Sequence, residues 1–134
     1  HRDELAAQVA SATLADRAMR NARVLARRAE SVVGRAAADD ANPVADLLDP
    51  LADAVDLVRR GAQEVGLALS TGAGTETARR TLADAAARTD PWQLVPGGDL
   101  HAQGLVLLLR SLVVDLAETA GVDPEAARAT LPEI

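Results

Sequence analysis

The sequence contains no cysteine, phenylalanine, tyrosine or lysine, and each absence excludes a kind of site. Without cysteine the chain has no disulfide, no thiol nucleophile and no thiolate metal ligand. Because Trp92 is the only aromatic residue, the hydrophobic core must be built from aliphatic side chains. Without lysine, the glycines at Gly72 and Gly74 cannot belong to a lysine-containing phosphate loop. The sequence therefore offers many side chains for packing and few for chemistry.

The charge balance argues against nucleic acid as a partner. The net charge is −6, and all 14 basic residues are arginines. Nucleic-acid binding needs a basic excess to neutralise phosphates and aromatic rings to stack on bases, and this chain has neither. No apolar run reaches the ~20 residues that span a bilayer, since the longest, residues 105–109, ends at Arg110. We therefore expect that this segment does not itself span a membrane.

Length and composition predict one all-α domain over residues 1–134. A chain of this size buries roughly two-thirds of its unfolded surface, which is enough for one core. Alanine, leucine and arginine are abundant here and are strong helix formers. We expect an antiparallel four-helix bundle plus a short C-terminal helix. The sequence begins at His1 within a helical pattern and without methionine, so we also expect a fragment of a longer protein.

Apolar periodicity places the helices. Residues 3–38 carry apolar or small residues at steps of three and four, which indicates one long helix. Residues 44–69 show the clearest pattern, with two apolar rows at seven-residue spacing, as helix bundles require. The rows are Val44, Leu51, Val58 and Val65, and Leu48, Val55, Ala62 and Leu69. We expect Asp49 to cap this helix and Pro50 to occupy its first position.

The second half of the sequence predicts three more helices. Residues 75–89 form a shorter helix capped by Thr75, and residues 90–98 form a loop rich in proline and glycine. Residues 99–120 are apolar on nearly every side, so this helix should be the most buried. A short last helix covers residues 123–130.

Polar residues on apolar faces are the candidate site. Asn21 lies on the apolar face of the first helix, where a buried asparagine fixes helix register or binds a ligand. Arg110 and Asp115 interrupt the apolar fourth helix, and buried charges need partners. We expect those partners on the first helix, with Arg20 among the candidates. The four residues are therefore predicted to form an inter-helix polar cluster or to contact a ligand, and a structural ion pair is favoured over a catalytic one.

No other residues form a recognisable chemical site. His1 and His101 are the only histidines, and no metal-binding spacing surrounds them. No serine lies in a nucleophile elbow. We therefore expect no catalytic residue, no metal and no cofactor. Trp92, between two prolines, is interpreted as a lid over the end of the bundle or, if exposed, as an anchor for a partner.

The first helix is rich in arginine, whereas residues 39–56 contain acids and no base. If the first two helices form an antiparallel hairpin, these two blocks face each other. The arginines then serve charge complementarity within the chain and a solvated surface. The alternative is a patch that binds anions or lipid headgroups.

Two stretches resemble a known protein family. They are residues 16–29, DRAMRNARVLARRA, and three pieces of the tail, residues 109–116 (LRSLVVDL), 120–123 (AGVD) and 126–132. Both are similar to actinobacterial members of the fusaric acid resistance, or aromatic acid exporter, family, and specifically to its C-terminal cytoplasmic helical part. The resemblance covers about a third of the chain and transfers no catalytic or substrate residue.

The resemblance implies an accessory, regulatory or assembly domain of a membrane exporter of aromatic acids or similar compounds. Such a domain would lie at the cytoplasmic face of the membrane and act by helix packing, not catalysis. Its partners would be the transmembrane part of the same protein and further copies of itself. The alternative is a free-standing helical module that holds a small apolar or aromatic acid between helices, with an arginine on its carboxylate.

Overall fold

The structure, a computed structural model, describes residues 2–38, 48–95 and 100–134, and its regular elements in these ranges are all helices. The all-α class is therefore confirmed. Val44, the acidic residues before 48 and the proposed cap Asp99 lie outside the described residues. The helices are α1 (Arg2–Ala38), α2 (Leu48–Thr71), α3 (Glu76–Ala87), α4 (Pro91–Leu94), α5 (Leu100–Thr119) and α6 (Pro124–Ala129).

Helix α5 forms the centre of the fold, as its all-round apolar sequence predicts. It packs against α1, α2 and α3, and the short helices α4 and α6 cover other parts of it. Its side chains at Leu105, Val106, Leu109 and Val113 are essentially inaccessible to solvent. Because this helix has neighbours on most sides, the apolar residues all round it are mostly buried and stabilise the fold.

Two of the packed helix pairs are antiparallel, α1 with α5 and α2 with α3. In the α1–α5 pair, Arg17 lies near Glu118 and Asn21 near Asp115, so the two chain directions oppose each other. In the α2–α3 pair, Thr81 of α3 donates a hydrogen bond to Glu64 of α2. Helices α1 and α2, in contrast, make little or no direct contact. The complete antiparallel four-helix bundle therefore stays a prediction.

Two local expectations need correction. Residues 91–94, expected to be part of a loop, form the short helix α4, because the Asp90 carboxylate accepts a hydrogen bond from the Trp92 backbone N–H and Pro91 suits the first position. Helix α2 already includes Leu48 and Asp49, so Pro50 lies within its first turn. Proline is tolerated there because a first-turn N–H has no intrahelical acceptor.

Candidate functional site

An open groove runs between α1 and α2, with α5 as its floor. Its volume is about 690 Å³. The α1 wall consists of Ala15, Ala18, Met19, Ala22 and Leu25; the α2 wall of Val55, Val58, Arg59, Ala62, Val65, Gly66 and Leu69; and the floor of Leu112, Leu116 and Thr119. The groove exists because α1 and α2 both pack on α5 without closing on each other.

The groove is almost entirely apolar and it is open to solvent. Met19 and Leu69 on opposite walls are 56% and 51% exposed. The hydroxyl of Thr119 donates to the backbone oxygen of Asp115, so it is already satisfied within α5. Exposed apolar area of this kind is unfavourable in water and marks surfaces that bind a partner or ligand.

The two heptad rows of α2 have different environments. Leu51, Val58 and Val65 of the first row are buried. In the second row, Val55 and Ala62 are only half-buried and Leu69 is exposed. A repeating apolar row normally packs against a neighbouring helix. The second row is therefore a helix-packing surface that the described part of this chain leaves uncovered.

The predicted polar cluster forms only in part, around Asp115. The side-chain nitrogen of Asn21 donates to a carboxylate oxygen of Asp115 at 2.6 Å across the α1–α5 interface. Arg17 lies 3.6 Å from the other carboxylate oxygen and 4.0 Å from Glu118. The prediction that α1 and α5 are neighbours joined through Asp115 is thus confirmed. Arg17 is the arginine involved, one helical turn before Arg20.

Asp115 is buried, and its environment perturbs its ionisation. Burial raises the pKa of its carboxyl, because the charged form loses hydration. The positive charge of Arg17 and the hydrogen bond from Asn21 lower the same pKa and offset part of the increase. Asp115 is not among the residues that line the groove, and only 9% of its side chain is exposed.

Arg110 does not join this cluster. The prediction for Arg110 is a carboxylate on another helix or an approach to the end of the bundle. Its guanidinium donates to no carboxylate of a described residue but to two backbone carbonyls, those of Thr89 at 2.8 Å and Pro132 at 2.6 Å. Burial lowers the pKa of Arg110, and the nearby Asp90 carboxylate partly opposes this. Because Thr89 and Pro132 lie outside the helices, their carbonyls accept no intrahelical hydrogen bond, and the guanidinium of Arg110 can bind both. Arg110 therefore has a structural role, because it links α5 to the segments that contain Thr89 and Pro132.

The remaining predicted site residues lie at the surface. Arg20 is exposed and makes no hydrogen bond or ion pair with another described residue. Trp92 is 61% exposed, so its interpretation as a lid is wrong, whereas its role as a contact anchor stays a prediction. His101 is exposed in the first turn of α5. Within residues 2–38, 48–95 and 100–134, no group of acids and histidines could hold a metal ion.

The arginines of α1 do not pair with acids of α2 in the described structure. Asp56 instead binds Arg59 of its own helix, at 2.6 Å. Arg59 is the cation at the edge of the groove, and this contact engages its guanidinium. Asp39, Asp40 and Asp46, which would also test the proposed complementarity, lie outside the described residues.

Helix α5 is long and apolar enough, by length and composition, to cross a membrane. The lengths of uninterrupted apolar runs did not indicate such a helix, because Arg110 and Asp115 divide an otherwise apolar sequence. A little over half of this stretch, 56%, is buried inside the fold. The central helix of a water-soluble bundle has the same properties, so this one helix is weak support for a membrane span.

Comparison with known proteins does not assign a family. No family model matches the chain, and no curated protein or solved structure matches it either. The resemblance to aromatic acid exporters therefore stays a prediction.

Proposed function

We propose that this chain is a non-catalytic assembly or regulatory domain of a membrane exporter, which works by accepting an apolar helix in the α1–α2 groove. The observation that carries the proposal is the second heptad row of α2, which lines the groove without a covering helix. The resemblance of residues 16–29 and 109–132 to aromatic acid exporters supports the exporter context. In that context the domain lies at the cytoplasmic face of the membrane.

The shape of the groove favours a helix as its occupant. Its α1 wall extends from Ala15 to Leu25, which corresponds to ~15 Å of helix, and its α2 wall from Val55 to Leu69, which corresponds to ~21 Å. A bound helix of three to four turns would contact both walls and the α5 floor. It would cover Met19 and Leu69 and complete a bundle of antiparallel helices.

A second candidate is a module that binds a small molecule, and one observation favours it. The volume of about 690 Å³ lies within the range of roughly 300–1,000 Å³ that small-molecule pockets occupy. An acidic ligand is the weaker form of this candidate, because Arg59 is already paired with Asp56. Binding of benzoate to the chain that is lost in Arg59→Gln would support this candidate over helix packing.

Two leucines of α2 provide the test. Leu69 lines the groove, whereas Leu67 is 65% exposed and lies outside it. In the complete gene product, expressed in its host, we expect Leu69→Arg to lower the efflux of an aromatic acid such as fusaric acid. Leu67→Arg should leave efflux unchanged, and since both leucines are exposed, neither change should unfold the domain.

Two results would overturn the proposal. Equal efflux in both variants and the wild type would show that the groove is not used. A complete gene product without membrane segments, recovered entirely in the soluble fraction, would remove the exporter context.

A further inference from the structure

Helix α1 has an outer face, which points away from the helix on which it packs. The side of α1 that contacts α5 carries Ala18, Asn21 and Leu25. Each residue of an α-helix is rotated by about 100° from the one before it, so the opposite side is fixed by the sequence. We call that side the outer face. It carries two groups of exposed residues, first Leu5, Val9 and Ala12 and then Arg20, Arg23 and Arg27.

The first group of the outer face is apolar and stands clear of the fold. Leu5 and Val9 are 63% and 62% exposed, and Ala12 beside them is exposed as well. Arg17 lies opposite Glu118, next to the last residue of α5, so residues 2–13 also continue past the end of that helix. The apolar group can therefore enter another phase or surface without any movement of the fold.

The second group of the outer face is basic. Helix α1 contains five arginines and no acid over residues 17–28. Arg20, Arg23 and Arg27 follow each other at steps of three and four, and like charges at this spacing repel. None of the three forms an ion pair or a hydrogen bond with the side chain of another described residue. An anionic partner would relieve a repulsion that the described part of the chain does not offset.

The positive charge is local to this part of α1. Asp16 and Glu30 lie on the same side, one turn before Arg20 and one turn after Arg27, and neither forms an ion pair with them. Even with these two acids, residues 16–30 carry a balance of +3, whereas the rest of the chain sums to −9. An anionic surface is therefore attracted to this side of α1 and repelled by the chain as a whole, which favours one orientation.

We infer that the outer face of α1 docks on a membrane surface that contains anionic lipids. Leu5 and Val9 enter the boundary between the headgroups and the acyl chains. Arg20, Arg23 and Arg27 bind headgroup phosphates. The inference deepens the proposed function, and it rests on that function for the presence of a membrane beside the domain.

A lipid surface suits the outer face better than a protein partner does. The groove is on a different side of α1, where Ala15 and Ala22 line it, so the outer face is one convex helix. From Leu5 to Arg27 it extends over ~33 Å. A protein that covered this length would need a carboxylate for each guanidinium that it buried. Anionic headgroups supply acceptors along the whole helix and rearrange around it, and the apolar arginine stems can lie beside the inserted leucine.

The first test is co-sedimentation of the chain with lipid vesicles. We expect binding to vesicles of equal parts phosphatidylcholine and phosphatidylglycerol, and little binding to vesicles of phosphatidylcholine alone. Binding to the mixed vesicles should weaken strongly at about 1 M salt, where the Debye length is ~3 Å.

Two triple variants separate the outer face from net charge. The first neutralises the basic group and consists of Arg20→Gln, Arg23→Gln and Arg27→Gln. We expect it to lower the partition coefficient on mixed vesicles about 100-fold, since each arginine near an anionic surface contributes several-fold. The control changes the net charge equally through three exposed arginines of other segments, Arg60→Gln, Arg80→Gln and Arg88→Gln. The control should bind far more tightly than the first variant.

Two leucines of equal exposure test the apolar group. Leu5 is 63% exposed and Leu67, on α2, is 65% exposed. We expect Leu5→Ser to lower the partition coefficient about fivefold, because an inserted leucine leaves water. Leu67→Ser should leave it unchanged. Circular dichroism would verify that every variant is folded.

A fluorescent label shows which side of the chain enters the membrane. Because the chain has no cysteine, Val9→Cys and Leu67→Cys each introduce a single thiol. A fluorophore that brightens in an apolar environment, attached to Cys at either position, reports insertion. We expect its emission to increase on mixed vesicles for the label at position 9 and to stay constant for the label at position 67.

Three results would each overturn the inference. They are the absence of vesicle binding, equal binding to neutral and mixed vesicles, and equal losses in the two arginine variants. If the chain binds no vesicles while the variant of Arg20, Arg23 and Arg27 still lowers efflux in the complete gene product, the outer face contacts an acidic protein surface instead.

Failure of this inference is distinguishable from failure of the proposed function. Leu69→Arg alters the groove and should not weaken vesicle binding. If vesicle binding is as expected but efflux does not depend on Leu69, the outer face docks on lipid and the role of the groove is wrong. If Leu69→Arg lowers efflux while the chain binds no vesicles, the groove is used and the lipid contact of α1 is wrong.

Discussion

Asn21 and Asp115 link α1 to α5, with 2.6 Å between the amide nitrogen and a carboxylate oxygen. Arg17 approaches the same carboxylate to only 3.6 Å, and about half of its side chain is exposed. A hydrogen bond to a charged acceptor contributes about 1.5–3 kcal/mol, whereas an exposed ion pair contributes about 0–1 kcal/mol. Asn21 is therefore the main partner of Asp115.

A double-mutant cycle measures this difference. We expect Asn21→Ala and Asp115→Ala to show a coupling free energy of about 1–2 kcal/mol in urea unfolding. The cycle of Arg17→Ala with Asp115→Ala should give less than about 1 kcal/mol. A larger coupling for Arg17 than for Asn21 would show that the ion pair, not the amide, holds the two helices together.

The raised pKa of Asp115 predicts how stability depends on pH. Between the ordinary carboxyl pKa and the raised value, the folded chain binds more protons at this site than the unfolded chain does. The contribution of Asp115 to the free energy of unfolding therefore falls as pH rises through that window. Asp115→Asn removes the titration and keeps an acceptor for Asn21.

Urea unfolding of the wild type and Asp115→Asn at several acidic pH values tests this. We expect the free energy of unfolding of the wild type, minus that of the variant, to decrease with rising pH and then level off. A difference that increases with pH would mean that Arg17 and Asn21 outweigh the burial of the carboxyl.

Arg110 holds two distant segments against α5 through the carbonyls of Thr89 and Pro132. Arg110→Met should lower the free energy of unfolding by about 2–3 kcal/mol, because the buried Thr89 carbonyl loses its donor. Arg20→Met is the matched control and should change it by less than about 0.5 kcal/mol, since Arg20 is exposed. Equal thermal stability of both variants would show that water replaces the guanidinium.

The buried heptad row of α2 gives a further prediction. Val58 is only 3% exposed, so Val58→Asp should destabilise the domain by about 3 kcal/mol or more by burying an unpaired charge. Leu67→Asp, on the exposed side of the same helix, is the control and should have a small effect. An unchanged melting temperature for Val58→Asp would mean that this row faces solvent.

Apolar periodicity predicted the helices well, because the residues that form the core recur at helical spacing along the sequence. The all-round apolar sequence of α5 identified it as the central helix, and the heptad spacing identified α2. The sequence does not determine whether a heptad row is covered. Val58 and Val55 both line the groove and share residue type and spacing, yet Val58 is only 3% exposed whereas Val55 is half-buried.

The candidate site was only partly predictable for a related reason. Asn21 and Asp115 stand out as polar residues on apolar faces, so the pattern revealed them. The acceptors of Arg110 are backbone carbonyls, which every residue has, so no side-chain pattern could indicate them. The exposure of Leu5 and Val9 follows from the side on which α5 packs and from where it ends, which are tertiary properties and not properties of the α1 sequence.

A glycine-to-alanine substitution should have different effects at Gly61 and at Gly66, which lie five residues apart on α2. Glycine to alanine in a helix interior adds about 1 kcal/mol of helix propensity. At Gly66 a new Cβ would meet no atom within 4 Å, so Gly66→Ala should stabilise the chain by up to about that amount.

At Gly61 the new Cβ would lie 2.6 Å from Cδ2 and 2.9 Å from Cγ of Leu82. Leu82 is fully buried and cannot move away without repacking, and such overpacking costs about 1–3 kcal/mol. We therefore expect Gly61→Ala to be neutral to destabilising and to separate α2 from α3. Thermal unfolding of the two variants decides it: a stabilised Gly61→Ala would show that α3 yields easily, and a destabilised Gly66→Ala would show that a partner helix already lies close to this wall of the groove.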